Sequence, residues 1–328
     1  MKHHFIDFLD RKGGYWKMVP NRDRYQYDIT NIQEGDRKVS IIKYGKENKD
    51  WRKVFSFPNI EEVTLHEPDS EQLESLCKLQ SLKRLRISFV KLKDLNFLSS
   101  VKKLEELVLE YTSGFSDLSP LSELQKLRSL HLENLRRVSD FSGLNGLKKL
   151  KYLYIDGTLD WSQPIDDFEF LAELQDLEVL AFGRILNKLP FPSLLPIVKL
   201  RKLKRIKIPS NILDVREFAF IEVCFPKVEG AIRSPFSKIA YSDIFLPKTD
   251  FRASLSDDDI RKYHPEVQID YKGKRKIADP NSEWFEFLGK SAGRVKCNNP
   301  SSVEKCNEYA AKYESLKKEA LAIIQKAR

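Results

Sequence analysis

A histidine among carboxylates is the grouping most open to chemistry in this chain of 328 residues. His131 could serve as an acid/base group, or as part of a ligand set, if Glu110, Glu133 and Asp156 stood around it. Successive intervals between the four residues are 21, 2 and 23 positions, so only a chain that returns to the same place about every 22 residues would assemble them. The usual signatures are absent from the sequence: no G-x-x-x-x-G-K, G-x-G-x-x-G, H-E-x-x-H or G-x-S-x-G. With histidines only at 3, 4, 66, 131 and 264, a histidine-rich metal site is not expected.

The chain does repeat at that interval. In "FSDLSPLSELQKLRSLHLENL" (115–135) leucine spacing drifts between three and two, which suits neither a helix nor a strand for long. The phrase L-x-x-L-x-L at Leu127, Leu130 and Leu132 recurs as Leu82-Leu85-Ile87, Leu104-Leu107-Leu109, Leu150-Leu153-Ile155, Leu177-Leu180-Phe182 and Leu203-Ile206-Ile208, with a looser copy at Ile60-Val63-Leu65. The middle residues, 63, 85, 107, 130, 153, 180 and 206, lie 22 to 27 apart. That is the period of a leucine-rich repeat, in which a short strand turns two side chains inward and a loose helical segment folds back over them. No such unit buries its apolar face alone, so the expected fold is an α/β solenoid with a curved parallel sheet on its concave side and short helical or 3-10 segments on its convex side.

The convex segments "DLSPLSELQKL" (117–127), "DFSGLNGLKKL" (140–150) and "DLNFLSSVKKL" (94–104) give the chain its resemblance to bacterial leucine-rich repeat proteins of the internalin-like type, over about residues 57–211. The resemblance implies the solenoid; the residues that carry it are core residues, and say nothing specific of function. In one respect the chain departs from the pattern: the ninth position, where such repeats place an Asn that bonds the turn backbone, holds Val90, Thr112, Leu135, Thr158, Ile185 and only finally Asn211.

Strand geometry then selects the candidate surface. The third, fifth and seventh positions of each phrase point to the concave side, opposite the buried pair. They form an acidic and aromatic middle, Glu106, Glu110, His131, Glu133, Tyr152, Tyr154 and Asp156, between two basic pairs, Arg84 with Arg86 and Arg205 with Lys207. Tyrosine and arginine are over-represented among interface hot spots, and paired exposed tyrosines are not needed for folding. These eleven residues are the expected partner-binding site; the plain alternative is a polar sheet face tied by cross-strand ion pairs.

The ends read as caps, with the N-terminal cap at 1–55, repeats at 56–232 and the C-terminal cap at 233–328. In "YQYDITNIQEGDRKVSIIKYG" (25–45) two β-rich runs flank a turn and suggest a hairpin. "VREFAFIEVCFPKVEGAI" (215–232) reads as a helix and one degenerate further turn, and "LSDDDIRKYHPEVQIDY" (255–271) repeats that grammar as an outermost edge strand. In the final stretch, Ser301 and Glu304 have capping-box spacing, and Val303, Cys306, Ala310, Tyr313, Leu316, Ala320 and Ile324 make one apolar stripe, expected to pack on the chain's own fold rather than on a partner helix.

Composition bounds the function. The net charge of +9 divides as +5 over 1–55, zero over 56–250 and +4 over 251–328, so the repeats carry no basic stripe of the kind that tracks nucleic acid. The densest basic run, "YKGKRK" (271–276), reads as a solvated loop. Cys77, Cys224, Cys297 and Cys306 show no C-x-x-C spacing, and no signal-like or bilayer-spanning apolar run occurs, so reduced thiols and a cytoplasmic location are expected. The sequence therefore points to a non-catalytic module that shows its concave sheet to an unidentified protein or peptide, without cofactor, catalytic residues or metal. The alternatives are an enzyme or metal site around His131, and nucleic-acid binding through the basic terminal segments.

Overall fold

The computed structural model describes residues 28–327. Strands β1 (Ile41–Gly45), β2 (Glu62–His66), β3 (Arg84–Lys91), β4 (Glu106–Ser113), β5 (Ser129–Glu133), β6 (Tyr152–Asp156), β8 (Val179–Phe182) and β10 (Arg205–Lys207) form one sheet in chain order. Every neighbouring pair is parallel, and the middle residues of the repeat phrase face one another, Leu85 to Leu107 to Leu130 to Leu153 to Leu180 to Ile206. This register puts both apolar side chains of each strand into a single core running the length of the stack. Leu130 and Leu153 are wholly inaccessible there, and burial of a leucine contributes about 1.5–3 kcal/mol.

The convex side closes that core with 3-10 turns. Those at Asn96–Ser100, Ser119–Glu123, Ser142–Leu144 and Glu169–Glu173 insert Leu98, Leu121, Leu144 and Leu171 against the strands. Each is opened by an aspartate, Asp94, Asp117, Asp140 or Asp167, whose carboxylate accepts the backbone N–H two residues on at 2.7–2.9 Å. That is the local bond that favours aspartate at turn starts. The two longest intervals make room for β7 (Gln163–Ile165) and β9 (Ile185–Asn187), a second parallel pair. The bonds missing from the ninth position are supplied by buried glutamines instead: Gln163 accepts from Leu135 N at 3.1 Å and donates to the Val138 carbonyl at 2.6 Å, and Gln72 donates to the Gly45 carbonyl at 2.9 Å. Gln72 lies in the short helix α1 (Ser70–Glu74).

Both ends differ in part from expectation. The proposed hairpin at 25–45 begins outside the described residues; within them β1 pairs parallel with β2, and Asp28 bridges parallel to Lys43, so no antiparallel pair forms there. The reason is packing. Val39, Ile42 and Tyr44 have the same spacing as the repeat phrase and enter the same core, with Tyr44 stacked on Trp51 at 5.9 Å. The sheet thus starts one strand before the first phrase recognised in the sequence.

At the other end, helix α2 (Val215–Cys224) covers the last repeat, and Glu229 bridges parallel to Arg205 as a remnant of the further turn. Beyond it lie two small antiparallel sheets. One holds β11 (Phe236–Ala240), β15 (Glu283–Phe287) and β16 (Arg294–Lys296); the other holds β12 (Asp243–Phe245), β13 (Gln268–Ile269) and β14 (Arg275–Ala278). The segment 255–271 forms helix α3 (Asp257–Tyr263) and β13, so it edges this separate sheet and not the solenoid, whose own sheet ends at β10. Leu246, Ile260 and Val267 give that unit a small core of its own, which is why its strand has no need of the repeats.

The final helix α4 (Ser302–Ala327) packs on α2, with Tyr313, Ala320 and Ile324 joining the main core. Its start is organised by Asn299, whose Oδ1 accepts from both the Ser301 N–H and hydroxyl at 2.9 Å. All four cysteines are free thiols. Among the described residues no helix is long and apolar enough to cross a membrane.

Candidate interaction site on the concave sheet face

The parallel register brings the expected residues into rows across the strands. The outer row runs Glu62, Arg84, Glu106, Ser129, Tyr152, Val179, Arg205; the middle row Thr64, Arg86, Val108, His131, Tyr154, Ala181, Lys207; and the third row His66, Ser88, Glu110, Glu133, Asp156. Adjacent strands sit about 4.8 Å apart, so charges along and across the rows lie close together. Several of them are paired. Arg84 Nε donates to Glu62 Oε2 at 3.0 Å, Arg86 is ion-paired with Glu110, Arg205 Nε meets Glu229 Oε2 at 2.7 Å, and His131 Nε2 stands 3.5 Å from Glu133 Oε2.

The face is accordingly less open than the sequence suggests. Glu106, Glu110, Arg86, His131 and Tyr152 are buried, whereas Arg84, Glu133, Tyr154, Asp156 and Arg205 keep partial access to solvent and Lys207 is exposed. The expectation of two exposed tyrosines fails for Tyr152, which packs against Val179. Arg86 and Glu110, assigned to a basic and an acidic patch, form one pair.

Asp156 is the best-anchored group. Its Oδ1 accepts the Arg184 N–H at 2.6 Å, and the Tyr154 hydroxyl donates to its other oxygen. Gly183 on the next turn has no side chain because a Cβ there would collide with that carboxylate. Burial, this hydrogen bond and the carboxylate charge together push the Tyr154 phenol far above its ordinary pKa, so it stays a donor. Burial likewise raises Glu110 despite the Arg86 charge beside it, and lowers His66. Chemically the face offers fixed charges and hydrogen-bond donors. Glu110, His131 and Glu133, whose ligand atoms all lie within 4.8 Å of one another, are the one group among the described residues arranged as metal ligands could be.

Sequence reasoning missed the rim of this face. At the eighth position of successive turns Glu67, Phe89, Tyr111 and Asn134 all adopt left-handed backbone, with φ of 47°, 59°, 50° and 56°. Asparagine tolerates that region, but for a bulky residue it is a true outlier. Phe89 and Tyr111 are nevertheless 50% and 37% exposed and stack at 4.6 Å, with His66 against Phe89 at 5.3 Å. Burial and the Glu133 carboxylate beside it raise the Tyr111 phenol above its ordinary pKa, which couples the aromatic rim to the acidic row. The available signal was two aromatics one repeat apart, at 89 and 111.

No known family profile matches the chain, and no curated protein does. Among solved structures it is similar to an internalin of Listeria monocytogenes, at 25% identity over 56% of this chain and 58% of that one with a TM-score of 0.40. It is similar also to an internalin C2 of the same species, at 22% identity over 47% and 62% with a TM-score of 0.35. A leucine-rich repeat protein of Leptospira interrogans matches at 17% identity over 54% and 56% with a TM-score of 0.36. The chain thus spans under two thirds of each of these structures. On the strength of its own recurring phrase and its unbroken parallel sheet, the chain folds as a leucine-rich repeat α/β solenoid.

Proposed function

We propose that this protein is a non-catalytic interaction module that presents its concave sheet face and the adjoining aromatic rim to a protein or peptide. One observation carries the reading. Phe89 and Tyr111 expose stacked rings in a backbone conformation that disfavours them by about 1–2 kcal/mol, so folding alone does not select them. They adjoin Glu133 and Asp156, the carboxylates of the face that remain part-exposed. A partner of matching chemistry carries apolar side chains for the rim and lysine or arginine for the acidic row, with acidic groups toward Arg84 and Lys207. The free thiols support a reducing compartment such as the cytoplasm.

The test is partner capture followed by titration with purified components. A variant with Arg84 and Tyr154 both changed to Ala should lose on the order of 2 kcal/mol or more of affinity, whereas charge reversal at convex Lys102 or Lys148 should change it little. Retention by the first and loss by the second would move the working surface to the convex side or the ends.

A further inference from the structure

The middle of the concave face holds an electrostatic and hydrogen-bonding deficit that ion pairs among the described residues do not resolve. Glu110, Glu133 and Asp156 occupy the same register position on three successive strands, and among them only Glu110 is ion-paired with an arginine, Arg86. His131 lies between them, 4% exposed, and among the described residues neither of its ring nitrogens has a hydrogen-bond partner. Burying an imidazole without a partner is costly, so such a group ordinarily meets a donor, an acceptor, a water or a metal. Tyr154 packs against the His131 ring at 4.5 Å between centroids, with the two planes tilted by 36°.

We propose that Glu110, His131 and Glu133 bind one divalent transition-metal cation of the zinc class. One neutral imidazole and two carboxylates are a donor set suited to zinc, whereas magnesium and calcium prefer oxygen alone. The three ligand atoms now lie within 4.8 Å of one another, and tetrahedral zinc would draw them to about 3.3 Å apart, a side-chain adjustment on a rigid sheet. Arg86 engages the Oε2 atom of Glu110, and a carboxylate has a second oxygen to offer. Three carboxylates against one guanidinium leave the cluster short of positive charge, and one divalent ion supplies it. Tyr154, packed on the His131 ring, and Tyr111, beside Glu133, would be the groups that hold these ligands in place. The fourth position would be open toward the concave side, where water or a partner's side chain could complete it.

The experiment is calorimetric titration of chelator-stripped full-length protein with Zn2+, with Mg2+ as the comparison cation. His3 and His4 are both changed to Gln throughout, since adjacent histidines bind zinc unaided. The expected result is a single saturable zinc site per chain, weakened at least about tenfold by His131→Gln and by Glu133→Gln. Co2+ should give the visible d–d bands of a low-symmetry, four-coordinate site, and zinc should raise the thermal midpoint of the parent but not of either variant. His264→Gln, which removes an ordinary surface His–Glu pair at 3.4 Å, should leave binding unchanged. Far-UV circular dichroism of the metal-free variants separates loss of ligand from loss of fold; should His131→Gln unfold, the part-exposed Glu133→Gln decides. The proposal is overturned if the parent shows no saturable zinc binding, or if both variants bind as the parent does.

Discussion

Tyr313 on α4 donates its hydroxyl to Glu222 on α2 at 2.9 Å, and Lys317 one turn later reaches the other oxygen of the same carboxylate at 3.1 Å. Residues 91 and 95 positions apart are thereby locked together over the open end of the solenoid. Burial and the Glu222 hydrogen bond raise the Tyr313 phenol well above its usual pKa, so it remains a donor at alkaline pH. Tyr313→Phe should cost about 1.5–3 kcal/mol, the usual range for a hydrogen bond to a charged group. Truncation after Asn299 should expose the apolar side of α2 and cause aggregation, read by light scattering; a monomeric product with unchanged melting would show that α4 is no cap.

The register itself is tested in the core. Leu130→Ala or Leu153→Ala should lower stability by about 2–5 kcal/mol in denaturant titration, because both leucines are fully enclosed. Lys126→Ala, on the exposed convex side, should stay within about 0.5 kcal/mol. Similar midpoints for the two classes would refute the inward assignment.

Gly183 and Asp156 should behave as a unit. Gly183→Ala forces a methyl group against the Asp156 carboxylate and should displace it from the Arg184 N–H, destabilising the sixth and seventh strands of the sheet. Adding Asp156→Ala should recover part of the loss, so the double-mutant cycle is expected to be strongly non-additive. Simple additivity of the two changes would show that the clash is relieved elsewhere.

The aromatic rim gives opposite expectations for folding and binding. Replacing both Phe89 and Tyr111 with Asn relieves left-handed strain while removing a stacked pair, so stability should move by no more than about 1 kcal/mol. Partner affinity should fall by on the order of 2 kcal/mol. An unchanged affinity would remove the rim from the interface.

In the C-terminal unit, two hydrogen bonds from the Arg252 guanidinium, at 2.7 and 3.0 Å, hold the Asp250 carboxyl down at about 2. Its unfolded value is about 3.9, so folding is favoured by this pair above that pH and the benefit disappears as pH falls toward 2. Asp250→Asn should flatten the acid limb of the unfolding curve between those values. A side-chain titration by NMR that places Asp250 near 4 would contradict the pairing.

How much of this was legible in the sequence depends on what kind of bond holds each part. The phrase Leu82-x-x-Leu85-x-Ile87 states its own burial, and the concave rows follow from strand alternation alone, so their membership could be written down before any coordinates. Whether those side chains are open could not, because the pairing of Arg86 with Glu110 depends on rotamers and on a neighbour 24 positions away. Val39-x-x-Ile42-x-Tyr44 has the same spacing as the repeats, yet a tyrosine in a leucine's place and a nearby Gly-containing turn imitate a hairpin. The partner of β1 is 21 residues downstream, and nothing local distinguishes that from an antiparallel neighbour. The small C-terminal sheets escaped for a related reason: β11 pairs with β15 across the 42 residues of chain from 241 to 282.

The column of left-handed residues Glu67, Phe89, Tyr111 and Asn134 separates two kinds of inheritance. Backbone shape at these places is dictated by the stack, while the side chains of Glu67, Phe89 and Tyr111 reach solvent, so an acid, a phenyl ring and a phenol all fit the same kind of slot. Divergence there would alter which molecules the rim attracts without altering the volume that the core must fill. A lineage of such chains could change allegiance one turn at a time, with each intermediate still folded.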